Sequence, residues 1–385
     1  MASEWDASAS IAAEARVYTK QAAFDQQEDE PQLSLFSTIE LDGDTELGRF
    51  AFEAFGRLDS VDDRRTHLDI REAFWQQDYA DVDVLVGVNK VFWGVAESRH
   101  LVNIINTVDA VEYIDGEDFL GQPMVNLDWY TDVGKVSVFA LPWHRAQPFV
   151  GEKSRFRVAP VPVSNEAQYI DGASEDYLSL ALRYSHYFGD WDVGASFFHG
   201  VSRDPSTFEV QGAVAQTPDG PVFVPESLVP VYELINQAGL DAQLTTDDWL
   251  YKVEAIVREG QGDTFAATVG GFEYTLYQLF DSDKDLGLIL EYNYDGRDPD
   301  TVLNNDVFSG LRLAWNDTQS TELLVGAFVD AKDASTVLRA EASRRFFEHW
   351  TASLEAQLFA NIDQDNVIDS FAQDDFVTLS VEYYF

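Results

Sequence analysis

The chain has 385 residues and carries 68 Asp and Glu against 25 Lys and Arg, a formal net charge of −43. This imbalance excludes nucleic acid as a partner, because few cations are available to neutralise phosphates. Aromatic residues form 14% of the chain, too many for an acidic disordered protein, and the absence of cysteine excludes disulfides and thiolate sites.

Hydropathy predicts no transmembrane helix, because no run of about 18 apolar residues occurs. A membrane-spanning β-barrel escapes that test, since only alternate residues of its strands face lipid. The first residues, MASEWD, lack the charged start and apolar core of a signal peptide. We interpret Met1 as a start residue placed before a mature amino terminus.

Alternation of apolar and polar residues predicts about eighteen antiparallel strands, with sixteen as the alternative count. Their lengths are close to the nine to eleven residues that a tilted membrane-spanning strand needs. In chain order the predicted strands are 8–20, 32–42, 48–59, 66–76, 82–90, 123–131, 134–141, 176–188, 191–201, 237–246, 248–259, 264–279, 285–295, 306–316, 321–331, 336–346, 350–361 and 375–385.

The last strand has the clearest pattern. Its sequence FVTLSVEYYF alternates apolar and polar residues and ends on an aromatic residue, Phe385. Such an ending resembles the carboxyl-terminal signal of Gram-negative outer-membrane β-barrels. The expected fold is therefore an all-β, transmembrane antiparallel barrel.

The connections between predicted strands alternate between short and long. The short, polar connections contain the Gly, Asn and Asp that turns require, at 42–44, 131–134, 189–190, 246–247 and 316–318. Long connections are expected at 91–122, 141–175 and 202–236. This asymmetry is typical of short periplasmic turns and long extracellular loops on one barrel domain spanning 1–385.

The two faces of the predicted strands differ in polarity. Trp249, Tyr251 and Val253 share one face of a strand whose other face carries Lys252 and Glu254, so one face is expected to contact lipid and the other the lumen. Two interpretations of the lumen charges stay open: a polar conduit whose charges set selectivity, and a lattice of salt bridges that nearly fills the interior. The predicted selectivity residues are Arg49, Arg57, Arg71, Lys252, Glu254, Arg258, Glu273, Glu291, Arg312, Arg339, Glu341 and Arg345.

Residues 97–113 interrupt the β pattern. Leu101, Ile104, Ile105 and Val108 have helical spacing, which predicts a short amphipathic helix. We expect this segment to fold into the barrel and constrict it, because a long structureless loop is uncommon. The alternative is a helix packed over the rim.

The connection 141–175 concentrates positive charge in an otherwise acidic chain. One interpretation is an anion or substrate contact, and the other, which we favour, is a set of counter-charges for neighbouring acidic loops. The residues are His144, Arg145, Lys153, Arg155 and Arg157.

Signals for an enzyme, a metal site or a cofactor are weak. The six His are scattered, and no GxSxG, P-loop, GxGxxG or HExxH motif occurs. The acidic stretches 295–300 and 363–365 have oxygen ligands that suit Ca²⁺, but no EF-hand pattern, so solvated surface charge is the better interpretation. We therefore expect no catalytic residue, no resident metal and no cofactor.

Several segments together resemble proteobacterial porin-like outer-membrane proteins and, more distantly, alginate-export-type barrels. The resemblance implies a barrel in the outer membrane of a Gram-negative bacterium. Where such proteins usually have Gly-Arg before Trp-Gly, this chain has Asn89-Lys90, so no role is carried over for that Arg. The matching segments are 69–75, 87–94, 105–109, 232–254, 271–275, 291–297 and 316–322.

Taken together, these patterns predict a channel through which a small polar or amphipathic solute diffuses or is exported. Expected partners are outer-membrane lipid and lipopolysaccharide, the solute and, if any, a periplasmic exporter; the protein is a monomer or a homotrimer. One alternative is a closed barrel that docks an envelope exporter. Another is a barrel enzyme acting on lipid or polysaccharide, which requires clustered catalytic groups at the rim.

Overall fold

The computed structural model describes residues 4–113, 115–218, 220–297 and 301–385. Alternating apolar and polar residues form β-strands throughout these ranges. In chain order the strands are β1 Glu4–Tyr18, β2 Gln32–Thr45, β3 Gly48–Asp59, β4 His67–Tyr79, β5 Val82–Asn89, β6 Gln122–Thr131, β7 Gly134–Leu141, β8 Gln168–Tyr169, β9 Ser179–Phe188, β10 Trp191–Val201, β11 Thr207–Thr217, β12 Gly220–Tyr232, β13 Leu234–Thr245, β14 Trp249–Glu259, β15 Phe265–Leu276, β16 Asp285–Asp295, β17 Asn305–Ala314, β18 Glu322–Asp330, β19 Thr336–Phe346, β20 Trp350–Ala360 and β21 Phe376–Tyr384.

Eighteen of these strands form one antiparallel sheet. The sheet closes on itself because β1 pairs with β2 on one side and with β21 on the other. Ser10 lies opposite Tyr384 and Tyr18 opposite Phe376 in the closing pair. Closure leaves no free edge, as a membrane-spanning sheet requires. The predicted count of eighteen spanning strands is confirmed.

Helical structure in the described residues is confined to 3₁₀ turns. The turns are Asp63–Arg65, Ser164–Glu166, Leu279–Asp281 and Asp369–Phe371. None of the helical segments described is long and apolar enough to cross a membrane.

The outer wall is apolar, and the predicted division between faces holds. On β14, Trp249, Tyr251, Val253 and Val257 are exposed, while Glu254 between them is buried in the lumen. Exposed aromatic side chains such as Trp129, Trp191 and Trp350 lie at strand ends, where membrane interfaces favour them. Exposed outer-belt residues include Ile11, Leu35, Ile39, Leu127, Leu182, Leu240, Leu290, Leu311, Val325, Leu354 and Leu379.

The connections confirm the predicted asymmetry and correct one turn. One end, which corresponds to the predicted periplasmic end, has tight turns such as 46–47, 80–81 and 132–133, and the other, the predicted extracellular end, has the long connections. The expected turn at 42–44 is wrong, because β2 continues to Thr45. Gly43 is instead covered by the ring of Trp5, its partner on β1, and any side chain at position 43 would overlap that ring. A glycine required for packing resembles a turn signal in the sequence.

The connection 202–236 was expected to be a loop and is largely a β-hairpin. Strands β11 and β12 pair from Thr207 opposite Val231 to Thr217 opposite Gly220, and β12 also pairs with the short strand β8. The sequence at the tip, Pro218-Asp219-Gly220, is a turn signal that the length of the connection concealed. Asp219 lies outside the described residues. Every residue of β11 is exposed, so the hairpin projects from the extracellular end.

An apolar cluster lies inside the barrel, against the inner face of β4 to β15. We call it the lumen core. It is built from inward-facing residues of the wall and from residues of the connection between β5 and β6. Its largest members are Phe74, Leu85, Trp93, Leu101, Val102, Ile104, Ile105, Met124, Phe139, Phe198, Ile235, Ile256, Phe265 and Val269.

Candidate functional site in the barrel lumen

The described residues of the connection between β5 and β6, 90–113 and 115–121, fold into the lumen; we call this connection the inserted segment. Its inward folding is as predicted, but its predicted helix is wrong, because the described residues of 97–113 form no helix. Of the residues with helical spacing, Leu101, Ile104 and Ile105 bury their side chains in the lumen core instead, and Val108 forms a β-bridge with Phe119. Wall carboxylates bind neighbouring backbone N–H groups of the segment, those of Glu97, Ser98 and Val102, which favours an extended path over a helix.

Glu254 on β14 is the first of these wall carboxylates, and its side chain is completely buried. One oxygen accepts hydrogen bonds from the backbone N–H of Val95 at 2.7 Å and of Ala96 at 3.0 Å, and the other from Val102 at 3.1 Å. A buried carboxylate is tolerated when several donors bind it, as here. Glu254 therefore anchors the inserted segment rather than facing a water-filled pore.

Glu291 on β16 binds the backbone of the inserted segment at Glu97 and Ser98, the residues that follow Ala96. It accepts hydrogen bonds from the N–H of Glu97 at 2.9 Å, and from the N–H and hydroxyl of Ser98 at 2.8 and 2.6 Å. The side chain of Glu97 in turn accepts a 2.6 Å hydrogen bond from Arg312 on β17 and lies 3.9 Å from Lys252. Predicted lumen residues of both signs thus converge on residues 95–98.

The returning half of the inserted segment is acidic and binds arginines of the opposite wall. Arg57 on β3 contacts Glu112 at 2.7 Å, and Arg339 on β19 contacts Asp115 at 2.6 Å. Arg71 lies 3.6 Å from Asp109. The segment is therefore held on both sides of the barrel by charge pairs with little exposure to water, which are screened far less than surface pairs.

A β-bulge directs Arg71 to the lumen. Glu53 pairs with Glu72 and Ala54 with Ile70, so Arg71 has no partner on β3. The extra residue leaves Arg71 and Glu72 both on the inner face, which strict alternation forbids. The bulge therefore adds a positive charge where the acidic inserted segment passes.

The other predicted selectivity residues lie at different depths. Glu273 lies 3.5 Å from Arg312, and Glu341 contacts Arg339. Arg258 is buried near the extracellular end, where it donates to Gln237 and lies 3.6 Å from Asp204. Arg49 pairs with Asp42 at 2.6 Å near the periplasmic end, and Arg345 is exposed there.

The basic residues of connection 141–175 contact separate partners. Arg155 is 1% exposed and donates to Asp374, which is completely buried, at 2.9 Å; Arg145 binds Asp69 at 2.6 Å. Burial, followed by the charge of Arg203, lowers the pKa of His144 to about 3, so its imidazole is neutral. Arg157 is buried and donates to backbone carbonyls, while Lys153 is exposed. These contacts match counter-charges better than one solute-binding cluster.

A cavity of about 350 Å³ remains between the inserted segment and the wall formed by β17 to β19. Charged side chains around it are partly open to water: the exposed fraction is 51% for Glu117, 41% for Glu341 and 39% for Arg312. The cavity is lined by Phe92, Ala96, Glu97, His100, Glu117, Phe308, Leu324, Gly326, Phe328, Arg339 and Glu341.

One ion pair at this cavity belongs wholly to the inserted segment. His100 Nε2 lies 3.1 Å from Glu117 Oε1. Burial alone would lower the pKa of His100, but the hydrogen bond and charge of Glu117 raise it above the ordinary value of 6.5. Burial would raise the pKa of Glu117, but His100 holds it below 4.5. The contact therefore favours the charged form of both side chains.

Two features of the site were missed from the sequence. The lumen core was missed because its members alternate with apolar residues that face outward. Strands that are apolar on both faces have an ordinary strand composition, so the sequence does not mark the inner cluster. The apolar panel of Phe308, Leu324 and Phe328 was missed for the same reason. The only available signal was a run of apolar residues on both faces, as at Phe197-Phe198.

Metal binding finds no support within the described ranges, where no three His, Asp or Glu side chains are grouped so as to hold an ion. Residues 298–300, part of one acidic stretch considered for Ca²⁺, lie outside the described residues.

Comparison with solved structures places the fold among outer-membrane β-barrels. OmpF of Salmonella typhi, in complex with daunomycin, matches with a TM-score of 0.50 at 10% identity, covering 99% of this chain and 97% of that one. Wzi of Escherichia coli, an outer-membrane protein involved in group 1 capsule assembly and described as a carbohydrate-binding β-barrel, matches with a TM-score of 0.54. The identity is 9%, over 97% of this chain and 84% of Wzi. No protein-family model and no curated protein sequence matches the chain.

Proposed function

We propose that this chain is an outer-membrane channel, narrowed by its inserted segment, that passes a small polar or amphipathic solute. The single observation that carries the proposal is the cavity beside β17 to β19, where Glu117 and Glu341 keep contact with water inside the lumen, as does Arg312 close to it. If the lumen charges served only to hold a plug in place, they would be buried away from water, as Glu254 is.

The passage runs beside the inserted segment rather than through the centre of the barrel. Carboxylates of Glu97, Glu117 and Glu341 line the cavity against the single arginine Arg339. Rings of fixed charge set ion selectivity at a narrow point. Since acids outnumber bases there, and in the whole chain, we expect cations to be preferred.

The proposed location is the outer membrane of a Gram-negative bacterium, with the apolar outer wall in contact with lipid and lipopolysaccharide. The fold shared with OmpF and Wzi supports this location. Carbohydrate binding, which the description of Wzi states for that protein, is one candidate property to test here.

The test is conductance of the refolded barrel in a planar bilayer, with reversal potentials measured under a KCl gradient. Stepwise openings with a cation-selective reversal potential are expected. A barrel that inserts with the correct strand content and stays electrically silent would contradict the channel.

A closed barrel that docks a periplasmic exporter is the second candidate. It is favoured by the extracellular cap, where Arg155 joins Asp374 and Asp29 while its guanidinium is almost fully buried. Silence in the bilayer, together with crosslinking of a periplasmic protein to the turn-bearing end, would support this function instead.

A further inference from the structure

We propose that the cavity beside the inserted segment is a binding site for an amphipathic organic cation, a small ammonium compound with an aromatic or aliphatic body. This inference rests on the proposed channel and names the solute class for which its narrow point is suited. The cavity volume of about 350 Å³ is sufficient for a small ligand.

One side of the cavity is an apolar panel on the inner face of β17 and β18. The rings of Phe308 and Phe328 lie 4.7 Å apart between centroids, next to Leu324. Gly310 and Gly326 face each other across these strands, and a Cβ at position 326 would overlap the Phe308 ring. The glycine at 326 thus lets the ring lie against the wall, where it leaves the cavity open.

Carboxylates lie on both sides of the cavity: Glu341 is on β19, next to Leu324 of the panel, whereas Glu97 and Glu117 belong to the inserted segment. Glu117 and Glu341 are about half exposed, so their oxygens are accessible from the cavity. The one arginine in the lining, Arg339, is bound by Asp115 at 2.6 Å and lies 3.8 Å from Glu355. The lining thus holds three carboxylates against Arg339 and His100, so its balance is negative even when the imidazole is charged.

An aromatic panel facing carboxylates matches a cation with an apolar body. An ammonium group gains Coulomb attraction from the carboxylates, and an adjacent aromatic face attracts cations through its quadrupole. An anion of the same size meets repulsion from Glu97, Glu117 and Glu341. A neutral sugar would hydrogen-bond to the carboxylates and pack on the rings, but it would gain no Coulomb attraction because it carries no net charge.

The test uses benzyltrimethylammonium as the probe and isothermal titration of the full-length barrel folded in detergent, so binding is measured without conduction. Three variants address the two sides: Glu117→Gln with Glu341→Gln together, Phe328→Leu, and Gly326→Ala. Glu322→Gln is the matched control, because Glu322 is an exposed acid on β18 that does not line the cavity. Melting curves confirm that each variant is folded.

We expect the double carboxylate variant to weaken binding about tenfold and Phe328→Leu about threefold, with Glu322→Gln unchanged. Gly326→Ala should weaken binding by pushing the Phe308 ring into the cavity. Unaltered affinity in both the double variant and Phe328→Leu overturns the inference, as does equal or tighter binding of maltotriose, which would make carbohydrate the ligand class. If the barrel binds the probe but never conducts, the binding site is supported and the proposed channel is contradicted. If it conducts but does not bind the probe, the channel is supported and the binding site is contradicted.

Discussion

The inner wall of the barrel has two contrasting halves. From β4 to β15 the inner face carries the apolar lumen core, which the inserted segment covers, as Phe139, Phe198 and Ile256 show. From β16 to β21 and on to β3 many inward residues are charged, and Glu341 and Arg312 remain in contact with water. Both halves have an apolar outer face. The difference shows that contact with lipid determines the polarity of the outer face in this fold, whereas the polarity of the inner face depends on what lies in the lumen.

Removing the main anchor of the inserted segment should have the largest effect. Glu254→Ala leaves the N–H groups of Val95, Ala96 and Val102 without their acceptor, at about 1–3 kcal/mol for each buried group. We expect the segment to leave the wall, conductance to rise and proteases to cleave within 90–121. Glu322→Ala, which removes an exposed acid, is the control. An unchanged conductance and an intact segment would show that the apolar contacts alone hold it.

Truncation of the filled half should cost more stability than truncation of the polar half. Ile256→Ala removes buried apolar volume from the lumen core and should lower the free energy of unfolding by about 2–4 kcal/mol. Ser353→Ala, on the exposed inner face of β20, should stay within about 0.5 kcal/mol. Urea unfolding in detergent, followed by tryptophan fluorescence, measures both. Equal losses would remove the distinction between the halves.

Neutralising an arginine should change selectivity only where water reaches it. Arg312→Gln is expected to raise the cation-to-anion permeability ratio roughly twofold, the effect of an exposed charge worth about 0.5 kcal/mol. Arg258→Gln, at a buried position on β14, should leave the ratio unchanged. Reversal potentials under a salt gradient provide the readout. If Arg71, Arg312 and Arg339 are all neutralised and selectivity does not move, the passage lies elsewhere.

The smallest expected effect is a pH dependence from His100 and Glu117. Because the pKa of His100 is raised above 6.5, the stabilisation from its charge is complete below 6.5 and is lost as pH rises through the folded value. Because the pKa of Glu117 is below 4.5, its contribution is present above 4.5 and is lost as pH falls through the folded value. Cation selectivity should therefore rise modestly as the pH is raised past the pKa of His100.

His100→Gln cannot titrate near neutral pH and provides the matched control. Its selectivity should be flat across the interval in which the parent chain changes. A parent chain with the same flat profile would show that this pair does not face the passage.

Much of the barrel was predictable from local pattern. Alternation along β14 and β17 identified the outward residues, and turn residues at 132–133 and 189–190 located strand ends. The errors have local causes too. Gly43 has the composition of a turn but is a packing glycine under Trp5, and the length of the connection 202–236 concealed a hairpin.

The candidate site was predicted only in part. Most arginines and glutamates assigned to the lumen do face it, since side-chain direction follows from a period of two. Their partners were not predicted, because Glu254, Glu291 and Arg339 bind a segment distant in sequence. The helix predicted for 97–113 failed for a related reason: Leu101, Ile104 and Ile105 pack in the lumen core, while Glu291 and Glu254 bind the backbone between residues 97 and 102.

The sequence by itself determined an all-β membrane barrel, its strand number, its two faces and the asymmetry of its ends, because these depend on the alternation and turn chemistry of neighbouring residues. Only the tertiary structure decided which half of the lumen is filled, which charged side chains bind the inserted segment and which remain in contact with water. Closure of the barrel brings β3, β14, β16 and β19 around residues 90–121, and burial by that segment determines whether each lumen charge is desolvated or available to a solute.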